Sequence, residues 1–351
     1  MSKKSVAIVG FGLIGRAIHQ MLQGSTNISP TPFDIRPIPG VFQIAGTDDD
    51  FHRIASEYDA IVVATPYTSN IAIADACGYF NTAYFDMTED VRVTAHVKEL
   101  ASRVGGWFMP QCGLAPGVVS IIAANLVRKL GDATNKRVEI RVGALPRSTN
   151  NHAKYYLTWS SEGLINEYNN PCHAIVDGRP VDLLPLEGQE QVTIDGATYE
   201  AFNTSGGLGT LRETMAGVVD NLNYKTMRYP GHRDYFHFLM HDLGLSKRMP
   251  LLVDVLNQEV PHVTDDVIVI AINASGKEQS ERGWIRGEQY HRKIYGQHGL
   301  SAIQLTTAAG LCVAVDWWAH STQPHPTGFC HSEDIPWEFF TQSPFSQPYL
   351  S

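Results

Sequence analysis

The sequence predicts an α/β chain that combines a doubly wound parallel sheet with an α+β domain whose sheet is largely antiparallel. Three observations carry this prediction. A glycine-rich turn joins a short apolar run to an amphipathic segment near the N-terminus. Strand-like and helix-like patterns then alternate through the first third of the chain, as in parallel sheets covered on both faces. Farther on, short strands separated by glycine and proline replace this alternation.

The glycine-rich turn reads G-x-G-x-x-G at residues 10–15, after an apolar strand-like run. In such a strand-to-helix turn Gly10 allows the tight turn, Gly12 lets a pyrophosphate approach the main chain, and Gly15 lets the helix pack closely. The helix that begins at Leu13 and Ile14 would direct its free N–H groups at the phosphates. The motif therefore predicts a Rossmann dinucleotide-binding fold. A glycine-rich turn without a nucleotide is the alternative.

An acidic residue follows the last glycine by about 20 positions, as the dinucleotide fingerprint requires. A carboxylate at Asp34 accepts hydrogen bonds from ribose hydroxyls and repels a 2′-phosphate, which favours NAD over NADP. Arg36 tempers this preference, because a nearby arginine can accept the phosphate. NAD is thus the expected cofactor, with NADP as the less favoured one.

The remaining elements of the first domain follow in order. Residues 60–65 form a continuous apolar run, as expected of a strand buried on both faces, and Thr65 and Pro66 at its end are candidate cofactor contacts. Other strands are predicted at 32–35, 82–85 and 107–110, and helices at 13–22, 52–58, 70–78, 88–104 and 118–130.

A polar break at residues 131–135 predicts the domain boundary. We expect a dinucleotide-binding domain over residues 1–131, completed by a C-terminal helix at 299–335, and a catalytic domain over 132–298. Within the catalytic domain, residues 138–145 and 266–275 predict strands, 158–163 a loop, and 208–219 and 234–243 helices. Residues 336–351 are expected to lie on the surface as a tail, and no strand is expected after the last helix.

Composition narrows the class of protein. The 351 residues carry a net charge of -9, which argues against nucleic acid or an anionic membrane as the main partner. The five cysteines lack metal-ligand spacing, so reduced thiols in a cytoplasmic protein are the simplest interpretation, with no metal site. No apolar stretch is long enough to span a bilayer.

Three runs in the second domain resemble those of the saccharopine dehydrogenase family. They read W-S-S-E-G at residues 159–163, T-S-G-G-L-G-T at 204–210 and Y-K-T-M-R-Y-P-G-H at 224–232, with supporting runs at 66–68 and 112–117. Within that family the chain resembles the lysine 6-dehydrogenase branch. The resemblance implies a Rossmann domain closed by a C-terminal helix, a catalytic α+β domain, and oxidation of an amine carbon with a nicotinamide cofactor.

Oxidation of an amine carbon requires a neutral amine and a fixed cation that holds the substrate carboxylate. Arg228 is our candidate for that anchor, because a guanidinium can clamp a carboxylate with two parallel hydrogen bonds. Lys225 either shares this task or acts as an acid/base. The alternative is that both are surface cations, and their odd spacing places them on opposite faces of a regular strand.

Further candidates surround this anchor, each with a structural alternative. His232 is a candidate base or a loop histidine bonded to the main chain. Asp86 either acts on the amine or caps the next helix, and Tyr67 either contacts nicotinamide or substrate or simply packs. Candidate substrate contacts are Glu162, unless it is merely exposed, and the turn at Ser205 and Gly206, unless it only opens a helix.

The leading hypothesis is an NAD-dependent enzyme that oxidises L-lysine, or a similar amino acid, to an aldehyde with release of ammonia and NADH. A saccharopine-type reductase that acts on a secondary amine with NAD(P) is the first alternative. A non-catalytic dinucleotide-binding regulatory protein is the second. The expected partner is a small-molecule amino acid, and a homodimer is the expected assembly.

Overall fold

A seven-stranded parallel sheet forms the centre of the first of two compact units, Met1–Ile121 with Gln304–Ser351. The computed structural model describes residues 3–278, 283–321 and 327–350. In chain order the strands of this sheet are β1 (Lys4–Val9), β2 (Ile28–Asp34), β3 (Phe42–Gln43), β4 (Ala60–Val63), β5 (Ala83–Phe85), β6 (Trp107–Met109) and, near the C-terminus, β15 (Gly328–Phe329). The spatial order β15-β6-β5-β4-β1-β2-β3 is that of a doubly wound fold, as predicted.

Helices cover the faces of this sheet. They are α1 (Leu13–Leu22), α2 (Asp48–Glu57), α3 (Asn70–Phe80), α4 (Val91–Ala101), α10 (Ala302–His320), α11 (Trp337–Gln342) and α12 (Gln347–Leu350). The helix α5 (Val118–Lys129) begins in the first unit and continues into the second. On one face, apolar side chains of α2, α3 and α4 pack on the central strands, with Ile54, Ile73 and Val97 fully enclosed. The central strands are buried on both faces, which is why they read as continuous apolar runs.

Local chemistry decides where two of these helices begin. Thr47 and Asp50 form a reciprocal capping box at the start of α2. The carboxylate of Asp90 accepts the N–H groups of Arg92 and Val93, so α4 begins at Val91 rather than at residue 88. Asp90 therefore caps this helix, and the prediction that Asp86 caps it is wrong.

The C-terminal segment differs from the expectation in two ways. A strand, β15, follows α10 and pairs in parallel with β6, although no strand was predicted there. The final residues do not lie on the surface as a tail: Phe340 and Tyr349 are buried, and the Tyr349 hydroxyl donates to the Thr306 carbonyl at 2.6 Å. The predicted helix over 299–335 corresponds to α10, and its residues 322–326 lie outside the described residues.

The second unit, Ile122–Ile303, contains a mixed sheet. Its strands are β7 (Thr134–Pro146), β8 (Cys172–Val176), β9 (Arg179–Leu183), β10 (Glu190–Ile194), β11 (Ala197–Asn203), β12 (Asn221–Arg228), β13 (Asp266–Lys277) and β14 (Ile285–Tyr295). The main path runs β10-β11-β12-β7-β13-β14, and only the β12–β7 pair along it is parallel. The α+β, largely antiparallel prediction is confirmed.

The two edges of this sheet approach each other. On β14, the Lys293 ammonium donates to the Ile194 carbonyl at 3.2 Å and pairs with Asp195 at 3.3 Å, next to β10. The enclosed concave face holds an apolar cluster that includes Leu145, Met227 and Val269. The curvature therefore lets the sheet enclose this cluster between its own strands.

Helices pack on the other side of the mixed sheet. They are α6 (Ser161–Asn169), α7 (Leu211–Thr214), α8 (His232–His237), which continues as a π-helix over Phe238–Asp242, and α9 (Met249–Glu259). Helix α6 begins inside the segment predicted as a loop, because the Ser160 hydroxyl caps it by accepting the Gly163 N–H. In place of the helix predicted over 208–219, the structure has a helix of four residues, α7.

Among the described residues, no helix is both long and apolar enough to cross a bilayer.

The glycines of the first turn make a prediction for stability. A Cβ atom on Gly15 would lie 2.0 Å from the Gly10 carbonyl oxygen, whereas one on Gly12 would meet no atom within 4 Å. We expect Gly15→Ala to destabilise the fold by about 3 kcal/mol, the upper end for overpacking. This corresponds to a fall of roughly 6–12 °C in the thermal midpoint.

Thermal unfolding followed by circular dichroism measures this effect, with Gly12→Ala as the matched control that keeps the wild-type midpoint. Equal midpoints for the two variants would contradict the proposed packing.

Candidate functional site

The dinucleotide turn of the first unit is tight at two glycines and open at the third. Gly10 adopts φ +99°, and a Cβ there would lie 2.5 Å from the Ala64 carbonyl oxygen. Gly12 is the N-cap of α1 and offers no side-chain cap to the first turn, which begins at Leu13 and Ile14. The open space at Gly12 beside helix N–H groups suits a pyrophosphate. These residues therefore fit the dinucleotide that the sequence predicts.

Asp34 ends β2 beside this turn, and its carboxylate is engaged on both oxygens. It accepts the Phe11 N–H at 2.7 Å and is held by the Arg36 fork, with Nε at 2.8 Å and Nη2 at 2.9 Å. The Arg36 side-chain hydrogen bond holds the pKa of Asp34 well below its usual range. The Arg36 side chain is 57% exposed and has room to swing away. Ribose hydroxyls therefore compete with Arg36 for this carboxylate.

The end of β4 supplies a polar atom without a partner. The Thr65 hydroxyl oxygen is buried and forms no hydrogen bond within the described part of the chain. A buried hydroxyl of this kind is rare unless a ligand or water completes it. Pro66 and Tyr67 follow on an exposed turn, with Tyr67 47% exposed. Contacts of Thr65 and Pro66 with cofactor, and of Tyr67 with nicotinamide or substrate, stay predictions.

The carboxylate of Asp86 is surrounded by hydrogen-bond donors of the protein itself. Its fully enclosed carboxylate accepts the Tyr84 hydroxyl at 2.6 Å and the Asn70 amide at 3.0 Å, together with the N–H groups of Thr88 and Gln111. Burial raises its pKa, and the hydrogen bonds oppose that rise. The geometry thus assigns Asp86 to joining the carboxyl ends of β5 and β6, and direct contact with a substrate amine is not supported.

In the second unit, the side chain of Arg228 is buried at the end of β12. Its Nε donates to the Tyr168 hydroxyl at 2.9 Å, and Nη1 donates to the carbonyls of Met227 at 3.2 Å and Ala144 at 3.4 Å. The Tyr155 ring centre lies 5.5 Å from its Cζ atom. All three hydrogen bonds thus go to neutral groups.

Burial disfavours the charged guanidinium, whereas Tyr168, Tyr155 and the buried carboxylate of Glu167 raise the pKa of Arg228. Its Nη2 has no hydrogen-bond partner within the described residues and is therefore the nitrogen that could donate to the carboxylate of a ligand.

His232 lies behind Arg228 and is completely buried. Its Nε2 is 2.9 Å from the Tyr168 hydroxyl, and its Nδ1 is 3.0 Å from the Ala153 carbonyl. Phe236 stacks on its ring at a centroid distance of 4.4 Å. Burial, and then the charge of Arg228, lowers the pKa of His232 well below its usual value. His232 is therefore an enclosed ring whose two nitrogens both meet protein groups, and this geometry does not support a role as the base that acts directly on substrate.

Several buried polar atoms of the second unit have no hydrogen-bond partner within the described residues. They are the Tyr155 hydroxyl, the Thr158 hydroxyl, the indole N–H of Trp159, the Asn203 amide oxygen and the Thr204 hydroxyl. Tyr155 lies against Arg228, and the other four belong to runs on which the family resemblance rests or border them. Orphaned polar atoms are expected where a polar ligand binds.

Lys225 has a different environment from Arg228. Its ammonium donates to the Gly188 carbonyl at 2.6 Å and pairs with Glu190 at 2.7 Å, and Glu190 also binds Arg141. The partners of Lys225 and Arg228 do not overlap, as the odd spacing on one strand predicts. The geometry thus assigns Lys225 to holding β12 to β10, and it does not support a catalytic or anchoring role.

The remaining residues predicted to contact substrate mostly form hydrogen bonds with other groups of the protein. Glu162 is exposed and accepts the Ser160 hydroxyl at 2.9 Å at the start of α6, so an acid/base role is not supported. Ser205 donates its N–H to the Glu167 carbonyl and its hydroxyl to the Asn166 carbonyl, which removes both groups from substrate. Gly206, with φ +87°, forms a tight turn closed by Gly209, and its contact with substrate stays a prediction.

Sequence reasoning missed Tyr155 and Tyr168, the two aromatic residues that enclose the guanidinium. Neither lies in a run that signals chemistry, although Tyr155 is four residues before Trp159 and Tyr168 lies seven residues after Ser161.

Every cysteine of the chain is free and buried. Within the described residues, no cluster of His, Cys, Asp and Glu is arranged to hold a metal ion.

Two solved structures share this architecture across almost the whole chain. Saccharopine dehydrogenase (L-Glu forming) from Saccharomyces cerevisiae has a TM-score of 0.74 at 13% identity and covers 99% of this chain and 96% of its own. Homospermidine synthase from Legionella pneumophila, solved with NAD, has a TM-score of 0.66 at 15% identity and covers 99% and 90%. At these identities the likeness shows the fold.

Curated relatives match a smaller segment. The mitochondrial alpha-aminoadipic semialdehyde synthase of Rattus norvegicus is 22% identical over 203 residues, or 52% of this chain and 21% of that protein. The mouse protein is 21% identical over the same length. The match thus spans about a fifth of the length of these relatives.

The model of the saccharopine dehydrogenase C-terminal domain matches residues 113–335, well over half of the chain. With the glycine turn of the first unit, this match defines the protein as a two-unit chain with a Rossmann dinucleotide-binding fold. The chain belongs to the saccharopine dehydrogenase family. The resemblance seen in its sequence is thereby confirmed at the level of the family.

The buried, neutral His232 predicts a pH dependence of stability. The unfolded chain binds a proton on this ring as the pH falls below about 6.5, whereas the folded chain does not. Its contribution to stability is therefore complete above that pH and is lost below it. The expected slope from this one residue is at most about 1.4 kcal/mol per pH unit.

Urea unfolding of wild type and His232→Gln between about pH 7 and 5 measures this slope. We expect the variant to lose a smaller part of its free energy of unfolding on acidification. A variant as pH-dependent as wild type would contradict the assignment.

Proposed function

We propose that the protein oxidises the amine carbon of an amino acid with NAD, in the manner of a lysine 6-dehydrogenase. L-lysine, NAD⁺ and water would give allysine, ammonium, NADH and a proton. The observation that carries the proposal is the buried guanidinium of Arg228, whose hydrogen bonds all go to neutral groups. A nicotinamide dinucleotide supplies the hydride acceptor when it is bound.

Arg228 would bind the substrate carboxylate, and the hydroxyl of Tyr155, whose ring lies against the guanidinium, would contact the rest of the amino acid. Binding a carboxylate to a buried guanidinium is strong, because neither group then has water as a competing partner. Anchoring one end of the substrate restricts the position of its reacting carbon, which is how a binding residue accelerates a reaction without touching the reacting atoms.

The buried cations of the second unit favour a substrate with few carboxylates. Among its described residues the buried arginines are Arg141, which pairs with Glu190, and Arg228. Saccharopine carries three carboxylates, whereas lysine carries one. A single candidate anchor, Arg228, therefore supports a lysine-like amino acid as the first candidate.

A saccharopine-type reaction on a secondary amine, with NAD or NADP, is the second candidate. It is favoured by the fold shared with yeast saccharopine dehydrogenase and by the matched segment of alpha-aminoadipic semialdehyde synthase. A non-catalytic dinucleotide-binding regulatory protein is the third. A homodimer in the cytoplasm completes the proposal.

A substrate panel separates these candidates. Purified protein with NAD is mixed with L-lysine, other basic amino acids or saccharopine, and formation of NADH is followed by absorbance. In the reverse direction NADH or NADPH is supplied with allysine and either ammonia or glutamate. We expect turnover with L-lysine forward and with ammonia in reverse. Turnover only with saccharopine and glutamate would favour the second candidate, and dinucleotide binding without turnover the third.

The carboxylate anchor makes a prediction for variants. Arg228→Lys keeps the charge but removes the planar fork, so we expect kcat/KM to fall by about 100-fold or more. Lys225→Met is the matched control on the same strand: it breaks the pair with Glu190 and is expected to reduce stability, with KM unchanged. Steady-state kinetics and thermal unfolding measure the two effects. Wild-type kcat/KM in Arg228→Lys would refute the anchor.

The Asp34–Arg36 pair makes a prediction for the cofactor. Arg36→Ala frees the carboxylate for ribose hydroxyls and removes the cation nearest to a 2′-phosphate. We expect the preference for NAD over NADP, measured as the ratio of dissociation constants by calorimetry, to rise by about 10-fold or more. Asp34→Asn should shift the ratio in the opposite direction. An unchanged ratio in both variants would show that this pair does not select the cofactor.

A further inference from the structure

Three hydrogen bonds connect Arg228 to the interior of the second unit. The guanidinium Nε meets the Tyr168 hydroxyl at 2.9 Å, this hydroxyl meets His232 Nε2 at 2.9 Å, and His232 Nδ1 meets the Ala153 carbonyl at 3.0 Å. All three side chains are buried. The groups come from β12, α6 and α8, so the chain of bonds joins elements that are far apart in sequence.

The donor and the acceptor of each of these three hydrogen bonds follow from elementary chemistry. A main-chain carbonyl can only accept, so Nδ1 of His232 carries a hydrogen. The neutral ring then has a lone pair on Nε2, and Tyr168 must donate its hydroxyl hydrogen to it. The phenol oxygen is thereby left as an acceptor for Nε–H of Arg228. The bonds run in one direction, from guanidinium to phenol to imidazole to carbonyl.

We propose that Tyr168 and His232 are positioning residues that fix the guanidinium of Arg228, so that its Nη2 is presented to the substrate carboxylate. The inference rests on the proposed function, in which Arg228 binds that carboxylate. An arginine can hold a carboxylate either side-on, through Nε and one terminal nitrogen, or end-on, through both terminal nitrogens. The bond to Tyr168 occupies Nε, and the carbonyls of Met227 and Ala144 occupy the two hydrogens of Nη1, so the hydrogens of Nη2 are the ones that remain for a carboxylate within the described residues.

A neutral His232 is essential to this arrangement. A protonated ring would donate from Nε2, and the Tyr168 hydroxyl would then face two donors and lose the acceptor of its own hydrogen. The groups that face the ring are Arg228 of β12, Tyr168 of α6, Tyr155 of the preceding loop, Phe202 of β11 and Phe236 of α8. None of these five is a carboxylate that would favour the protonated ring. The anchor therefore keeps one orientation across the working pH range.

Kinetics of the full-length protein with L-lysine and NAD test the role of Tyr168. Tyr168→Phe removes the acceptor of Arg228 Nε, and we expect KM for the amino acid to rise by about 10-fold while kcat stays within about threefold. Tyr229→Phe is the matched control, since Tyr229 directly follows Arg228 in the sequence and its hydroxyl donates to the Pro146 carbonyl at 2.8 Å rather than binding the guanidinium. The control should keep the wild-type KM. An equal KM in the two variants overturns the inference.

A pair of substitutions at His232 tests the second link. Glutamine retains an acceptor for the Tyr168 hydroxyl, and leucine does not. We expect His232→Leu to raise KM as Tyr168→Phe does, and His232→Gln to recover most of the loss. A wild-type KM in His232→Leu overturns the inference.

A spectroscopic measurement on the wild-type protein separates this inference from the proposed function. Nitrogen-15 NMR of histidine-labelled protein reports which ring nitrogen carries the hydrogen. We expect His232 to be protonated on Nδ1 alone from about pH 5.5 to 8, and a ring protonated on Nε2 overturns the inference without touching the function. Absence of L-lysine binding by calorimetry, with NAD present, instead refutes the proposed function and takes the inference with it.

Discussion

Burial of one positive charge governs the architecture around the candidate substrate site. Arg228 stands at the end of β12, where almost all of its side chain is removed from water. A charge in that position is tolerated only when the groups around it satisfy its donors. Tyr168 supplies an acceptor, His232 orders the phenol, and the ring of Tyr155 covers the guanidinium. Hydrogen bonds that start at this one side chain thereby tie the helices α6 and α8 to the end of β12.

A different constraint, the distance between main-chain atoms, governs the dinucleotide turn. At Gly10 and Gly15 the carbonyl oxygens of Ala64 and Gly10 leave no room for a side chain, so α1 is held close to β1 and β4. At Gly12 the space is open. The same motif thus uses glycine for two opposite reasons: close packing on the protein side and free approach on the ligand side. The cofactor preference then depends on Asp34, whose carboxylate Arg36 shares.

The polar residues that the sequence singled out divide according to their partners. Arg228 and Asp34 lie in environments suited to a ligand, whereas Lys225, Asp86 and His232 are committed to other protein groups. Residue type and spacing do not reveal that difference, because the partners are distant in sequence: Glu190 lies 35 residues from Lys225, and Tyr168 lies 64 residues from His232. Spacing on one strand did separate Lys225 from Arg228, since alternation of faces is a local property.

The sequence by itself determined the fold class, the parallel sheet with its glycine turn, and the family, because periodicity and short motifs record local geometry directly. It also singled out Arg228, which the structure shows to be buried, as the candidate anchor. Only the tertiary structure decided that α6 starts at Ser161, that the last residues pack inward through Tyr349, and that the mixed sheet curves until Lys293 reaches Ile194. The physical reason is that burial and hydrogen-bond partners depend on contacts between distant segments. Such contacts fix whether an ionisable side chain is free to meet a ligand or is already bound within the protein.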